Sequence, residues 1–153
     1  MTRPAPPPRT DLETFRRTVD AGHTVIPVVV ELLSDWWTPV SAFHSLVGNE
    51  PNVFLLESVE GGERIGRYSF LGRRPFLIAR ARDGRIRFEG EQADRLGPLP
   101  AAPLEALNRV FARFRAPRME GLPPFLSGAV GYFGYDTVRW VESVPDGGLP
   151  AAP

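Results

Sequence analysis

The chain predicts an α+β fold: a mixed or antiparallel β-sheet domain with a few packing helices. Three observations predict it. Five or six strand-length apolar runs are interspersed with three or four helix-like stretches, without regular βαβ alternation. The dipeptide Asp83-Gly84 separates two strand-like runs and suits the type I′ turn of a hairpin. The helix-like stretches open on capping signals, Thr10-Asp11-Leu12-Glu13 and Thr38-Pro39.

Taken in order, residues 1–9 read as a disordered lead-in, because Pro4, Pro6, Pro7 and Pro8 oppose regular pairing. Thr10-Asp11-Leu12-Glu13 has the form of a capping box; the helix behind it carries Phe15 and Val19 on an apolar stripe and stops at Gly22. Val25–Leu33 is a continuous β-branched run without alternation, which predicts a strand covered on both faces, with Pro27 near its start. Trp36 and Trp37 are adjacent and point in different directions on any regular element, one to a core and one to an interface. Thr38 as N-cap and Pro39 at the first helical position start a helix that runs to about Val47 and buries Val40, Phe43, Leu46 and Val47.

Val53–Glu57 and Tyr68–Leu71 read as strands. Pro75–Arg82 and Arg85–Glu89 form the hairpin across Asp83-Gly84, with Ile86 and Phe88 on one face and Arg85, Arg87 and Glu89 on the solvated one. Residues 92–103 form a proline- and alanine-rich loop. Pro103–Phe114 is an amphipathic helix with Leu104, Leu107, Phe111 and Phe114 on one face and Arg109 and Arg113 on another. Gly128–Tyr135 reads as a glycine-rich strand, and Asp136 as the cap of a last short helix containing Val138, Trp140 and Val141. Beyond Glu142 the chain turns Pro-, Gly- and Ala-rich.

Composition narrows the function classes. The 153 residues amount to one domain, with 42% hydrophobic and 24% charged residues and a net charge of zero. Zero charge gives no general attraction to nucleic acid or anionic lipid. All 18 basic residues are arginine, so Schiff-base chemistry has no lysine to use. With no cysteine, disulfides and thiolate chemistry are excluded. His23, at the expected end of the first helix, and His44, within a helical stretch, are far apart and read as capping or surface residues. No apolar run approaches membrane-span length, and the amino terminus lacks a signal-peptide core, so the expected compartment is the cytoplasm.

Two runs hold most of the chemistry. Phe54-Leu55-Leu56-Glu57-Ser58 is an apolar strand ending in a carboxylate and a hydroxyl; Gly66-Arg67-Tyr68-Ser69-Phe70-Leu71-Gly72 follows the turn Glu60-Gly61-Gly62-Glu63. An acid, a cation, hydroxyls and a ring this close together could hold a zwitterion. The carboxylate would take an ammonium, the arginine a carboxylate, and the apolar walls a side chain. The plainer reading is a hairpin with polar residues at its rim. Gly128, Gly131 and Gly134 recur every third residue, but GxxGxxG lacks the Gly-Lys-Ser/Thr ending of a phosphate loop, and close backbone packing accounts for it better. Glu57, Glu60 and Glu63 flank a turn as solvated carboxylates. No catalytic set and no metal site is legible in this chain.

The string LLES…GRYSFLG, joined by EGGER, resembles the amino-terminal domain of the anthranilate synthase large subunit, a member of the chorismate-utilising enzymes. A second block, Ser127-Gly128-Ala129-Val130-Gly131-Tyr132-Phe133-Gly134-Tyr135-Asp136 with Arg139 and Glu142, resembles another run of that family. The resemblance spans roughly residues 25 to 145. It implies that 10–145 is the regulatory domain, that 146–153 is a truncated linker, and that the catalytic chorismate-binding domain, with its magnesium ion and acid/base residues, is absent from this chain. It implies a whole enzyme that makes anthranilate and pyruvate from chorismate and glutamine-derived ammonia, with a glutamine amidotransferase small subunit as partner. It also implies that Ser58, with Glu57 and Leu56 and support from Arg67 and Tyr68, forms part of a pocket where L-tryptophan inhibits. Aminodeoxychorismate synthase, of the folate pathway, shares the second block; a free-standing amino-acid-binding module is a further alternative.

Overall fold

The structure, a computed structural model, describes residues 9–33, 35–57, 68–123 and 125–143. In chain order it comprises α1 (Leu12–Asp20), α2 (Pro39–Val47), β1 (Phe54–Leu56), β2 (Phe70–Gly72), β3 (Ile78–Arg82), β4 (Arg85–Glu89) and α3 (Pro103–Phe111). Single stretches of 3-10 helix lie at Ala93–Leu96, within the expected loop, and at Tyr135–Trp140. β1 pairs antiparallel with β2, and β3 with β4, in two separate two-stranded sheets. The α+β expectation holds, with fewer strands than the apolar runs suggested.

The best-specified elements are those whose signals are local. Thr38 caps α2: its hydroxyl accepts from the Ser41 amide at 3.1 Å while the Ser41 hydroxyl accepts from the Thr38 amide at 2.9 Å. Pro39 occupies the first turn, where its missing donor costs nothing. The β3–β4 register runs from Ile78 opposite Glu89 to Arg82 opposite Arg85. Asp83 and Gly84 between them have φ of 52° and 69°, as a primed turn requires. Ile86 and Phe88 are half-buried while Arg85, Arg87 and Glu89 are exposed.

Several expectations are corrected. The cap of α1 is Asp11, which accepts from the Thr14 amide at 2.7 Å; Thr10 is buried instead and donates its hydroxyl hydrogen to the Pro27 carbonyl at 2.9 Å. Asp11 stands one residue nearer the helix, and its carboxylate reaches the free Thr14 amide. The Phe15–Val19 stripe of α1 is exposed, and no α1 residue is buried. In α2 only Val47 is buried; Val40 and Leu46 stand half in solvent. α3 ends at Phe111, and its buried line is Pro103, Ala106 and Val110 rather than Leu104, Leu107 and Phe111. The helix packs near β4. Asp136 lies inside the last 3-10 helix and does not cap it; the Thr137 hydroxyl bonds the Gly134 carbonyl there. Both Trp36 and Trp37 are exposed, the first at 92%.

The largest departures are Val25–Leu33 and Gly128–Gly134, which form no strand. The first is tethered at a few points: the Arg9 amide to the Val29 carbonyl, Thr24 and Val25 amides to the Arg115 carbonyl, and Arg9 to Glu31 at 3.1 Å. No described strand pairs with either segment, so neither joins a ladder. Val28, Val30, Leu32 and Leu33 are exposed as a result, Leu33 at 98%. The buried apolar set among the described residues is small: Val47, Leu96, Ala106 and Val110.

Candidate functional site

The three-rung β1–β2 ladder has two unlike ends. Phe54 opposes Gly72 at one end, and Leu56 opposes Phe70 at the other. The second end carries the residues singled out from the sequence. Leu56 closes β1 with its side chain partly in solvent, and the exposed Glu57 follows it. Tyr68, two residues before β2, is half-buried, its ring centroid 6.1 Å from that of Phe70 with planes inclined at 42°. Ser58, Arg67 and the Glu60–Glu63 turn lie outside the described residues. Antiparallel pairing thus brings Leu56, Glu57 and Tyr68 to one hairpin end.

That end faces a segment sequence reasoning had assigned to packing alone. The Phe125 ring meets Phe70 edge-on, centroids 5.4 Å apart and planes at 83°. Leu56, Phe70 and Phe125 join Ala129, Val130 and Gly131 around an open apolar depression of about 390 Å³. Gly128 makes the approach possible: a Cβ there would sit 2.6 Å from a Phe125 ring carbon. Of the three regularly spaced glycines only Gly128 has a packing reason, and its neighbour is an aromatic ring; a Cβ at Gly131 or Gly134 would meet nothing within 4 Å, so the spacing itself is not explained by close packing. Phe70 lay within the quoted motif, whereas nothing local marked Phe125.

Chemically, the end offers an apolar floor for a hydrophobic group, aromatic edges, and a carboxylate beside them. Its described residues, Leu56, Glu57, Tyr68 and Phe70, present no nucleophile beside a base. Among the described residues no group of three His, Cys, Asp or Glu is placed to hold a metal ion. His44 is exposed on α2, its ring 6.0 Å from Phe43. His23 is half-buried, and its buried Nδ1 has no hydrogen-bond partner. No described helix is long and apolar enough to cross a membrane.

At the other end of the ladder lies an ion cluster. Glu50 accepts from Arg73 Nε at 2.9 Å and from a second Arg73 nitrogen, and from Arg74 Nη2 at 3.0 Å. The Arg73 bonds, with help from Arg74, hold the Glu50 carboxyl below its usual range, against a smaller opposing effect of burial. Asn52 accepts from Arg80 Nη2 at 3.3 Å, and Arg80 in turn pairs with Glu89 across the β3–β4 hairpin. A polar chain thus runs from the foot of β1–β2 to the second hairpin.

Two antiparallel strand pairs, three helices and an apolar depression at one ladder end define an α+β domain among the described residues. No protein-family model matches the chain. Component 1 of anthranilate synthase from Pseudomonas aeruginosa is 42% identical over 132 residues, covering 85% of this chain and 26% of that protein. The same component from Mycolicibacterium smegmatis is 39% identical over 137 residues, 90% of this chain and 26% of the relative. That from Neisseria gonorrhoeae is 43% identical over 119 residues, 76% and 23%. The chain spans about a quarter of the length of the curated relatives it matches. In sequence it belongs with anthranilate synthase component 1 and matches the amino-terminal part of that protein.

Proposed function

We propose that the chain is the amino-terminal, regulatory portion of an anthranilate synthase large subunit. The whole enzyme would convert chorismate and glutamine-derived ammonia to anthranilate and pyruvate, in the cytoplasm, with a glutamine amidotransferase small subunit delivering the ammonia. Chorismate, magnesium and the acid/base residues would belong to a catalytic domain outside residues 10–145. The observation that carries this reading is the 42% identity over 132 residues to a protein named for the activity. The relatives that match carry the anthranilate name, and no observation favours the folate-pathway alternative or a free-standing module.

Within that reading, the β1–β2 end contributes to a pocket for L-tryptophan as feedback inhibitor. Leu56 and the depression beside it suit an indole ring, whose burial is worth about 2–3 kcal/mol. Glu57 suits the ammonium, and Ser58 supplies a hydroxyl to the charged end, with Arg67 and Tyr68 as support. Because the depression is open, a second wall from another domain would complete it, and inhibition would follow from differential affinity for two domain arrangements.

The test is a replacement. This chain is exchanged for the matching segment of the Pseudomonas aeruginosa component 1 and the hybrid is assayed for fluorescent anthranilate with chorismate, magnesium and ammonium. Turnover that L-tryptophan inhibits supports the reading. A folded hybrid that turns over but ignores tryptophan removes the regulatory assignment, and a folded, inactive one removes the family role.

A further inference from the structure

The ion cluster at the foot of the β1–β2 ladder sits where register is decided. Glu50 precedes β1 by a few residues and Arg73 directly follows Gly72, the last residue of β2. The pair therefore ties the two strands together beyond the Phe54–Gly72 rung. Leu56 and Phe70 lie two residues along the ladder, about 7 Å away at the usual strand rise.

A three-rung, two-stranded ladder is marginal by itself, and its register is weakly specified unless something pins it. A slip of one residue would put Leu56 and Phe70 on opposite faces of the ladder and dismantle the apolar depression they line with Phe125. The described hydrophobic core gives the ladder little help, since Val47, Leu96, Pro103, Ala106 and Val110 lie outside both strands. The pin must come from elsewhere.

Backbone geometry points to the same place. Asn52, just before β1, and Arg74, just after β2, both have left-handed backbone, with φ of 56° and 51°. Neither is glycine, so each conformation is held against its own preference by its surroundings. Arg74 is held by its guanidinium on Glu50, and Asn52 by Arg80. Exposed ion pairs contribute little, as with Arg82 and Asp83 at 3.8 Å. The Glu50–Arg73 pair differs: the side chains are 27% and 30% exposed, and two guanidinium nitrogens meet both carboxylate oxygens.

We propose that Glu50 and Arg73 form a register clasp for β1–β2, positioning the Leu56–Glu57–Tyr68 end for its amino-acid ligand. Both are positioning residues and touch no ligand themselves. The inference rests on the amino-acid-pocket reading above.

The experiment uses the 153-residue chain, with amide hydrogen exchange read by NMR and L-tryptophan titrated as the probe. The unaltered chain should bind tryptophan weakly, with Kd of about 1 mM, because only part of a pocket is present. Glu50→Gln should speed exchange of β1 and β2 amides by about tenfold while β3–β4 amides keep their protection. It should raise the tryptophan Kd by about three- to tenfold, as loss of a charge-assisted fork implies. Glu50→Arg combined with Arg73→Glu should restore both quantities. Unchanged exchange in Glu50→Gln overturns the clasp. Faster exchange with unchanged tryptophan affinity overturns its positioning role and leaves the pocket standing. No tryptophan response in the unaltered chain overturns both. Should Glu50→Gln unfold the whole chain, seen as lost β3–β4 protection, Arg73→Lys keeps the charge without the fork and decides by the same outcomes.

Discussion

Phe125 meets Phe70 edge-on with ring centroids 5.4 Å apart, tying the chain ahead of the glycine-rich segment to the first strand-pair residue after Tyr68. Residues 55 positions apart in sequence thus form one wall of the candidate pocket. Phe125→Ala should destabilise the chain by about 1–2 kcal/mol, the aromatic pair plus part of a half-buried ring. Urea unfolding checks this, and an unchanged midpoint would show that the two rings do not share a packed unit.

Acid should loosen the foot of the same hairpin. The Glu50 carboxyl has its pKa lowered in the folded chain by Arg73, so its contribution is present above the ordinary glutamate range and is lost as pH falls through the lowered value. Stability followed from pH 6 down to about pH 3 should decline, and Glu50→Gln should remove part of that decline. Parallel curves for the two proteins would dissociate Glu50 from the acid sensitivity.

The chain alone should form no anthranilate. Among its described residues there is no metal-holding cluster, and the proposed chemistry lies in another domain. Incubation with chorismate, magnesium and ammonium should match a blank. Turnover that a substitution within this chain abolishes would return the chemistry to it.

The isolated chain should self-associate. Tyr132 at 93% exposure, with Tyr135, Phe133, Trp36, Leu32 and Leu33, leaves apolar surface in water on segments that have no strand partner. Sedimentation velocity at rising concentration should show a growing average mass. A monomer throughout would mean that these segments need no cover.

In the hybrid enzyme, Ser58→Ala should weaken tryptophan inhibition by about ten- to a hundredfold, since a hydrogen bond to a charged ligand group is worth roughly 1.5–3 kcal/mol. The half-inhibitory concentration is measured beside the uninhibited rate. A lower melting temperature with unchanged inhibition would assign Ser58 to turn stability instead.

Short-range physics controls the features that could be read from the residues alone. The Thr38–Pro39 helix start, the Asp83-Gly84 turn and the alternation along Arg85–Glu89 each depend on residues a few positions apart, and each is found as expected. Both motif runs were legible for the same reason, and they carried the resemblance that the relatives bear out. Only the tertiary structure decided the rest. Val25–Leu33 and Gly128–Tyr135 have strand-like composition, but a strand exists only where a neighbour completes its ladder, and none of the described strands does. The buried line of α3 follows Pro103, Ala106 and Val110 rather than its leucines, in a helix that packs near β4. Phe125 at the pocket and Arg73 on Glu50 are long-range meetings set by how hairpins and loops pack, and sequence spacing does not encode them.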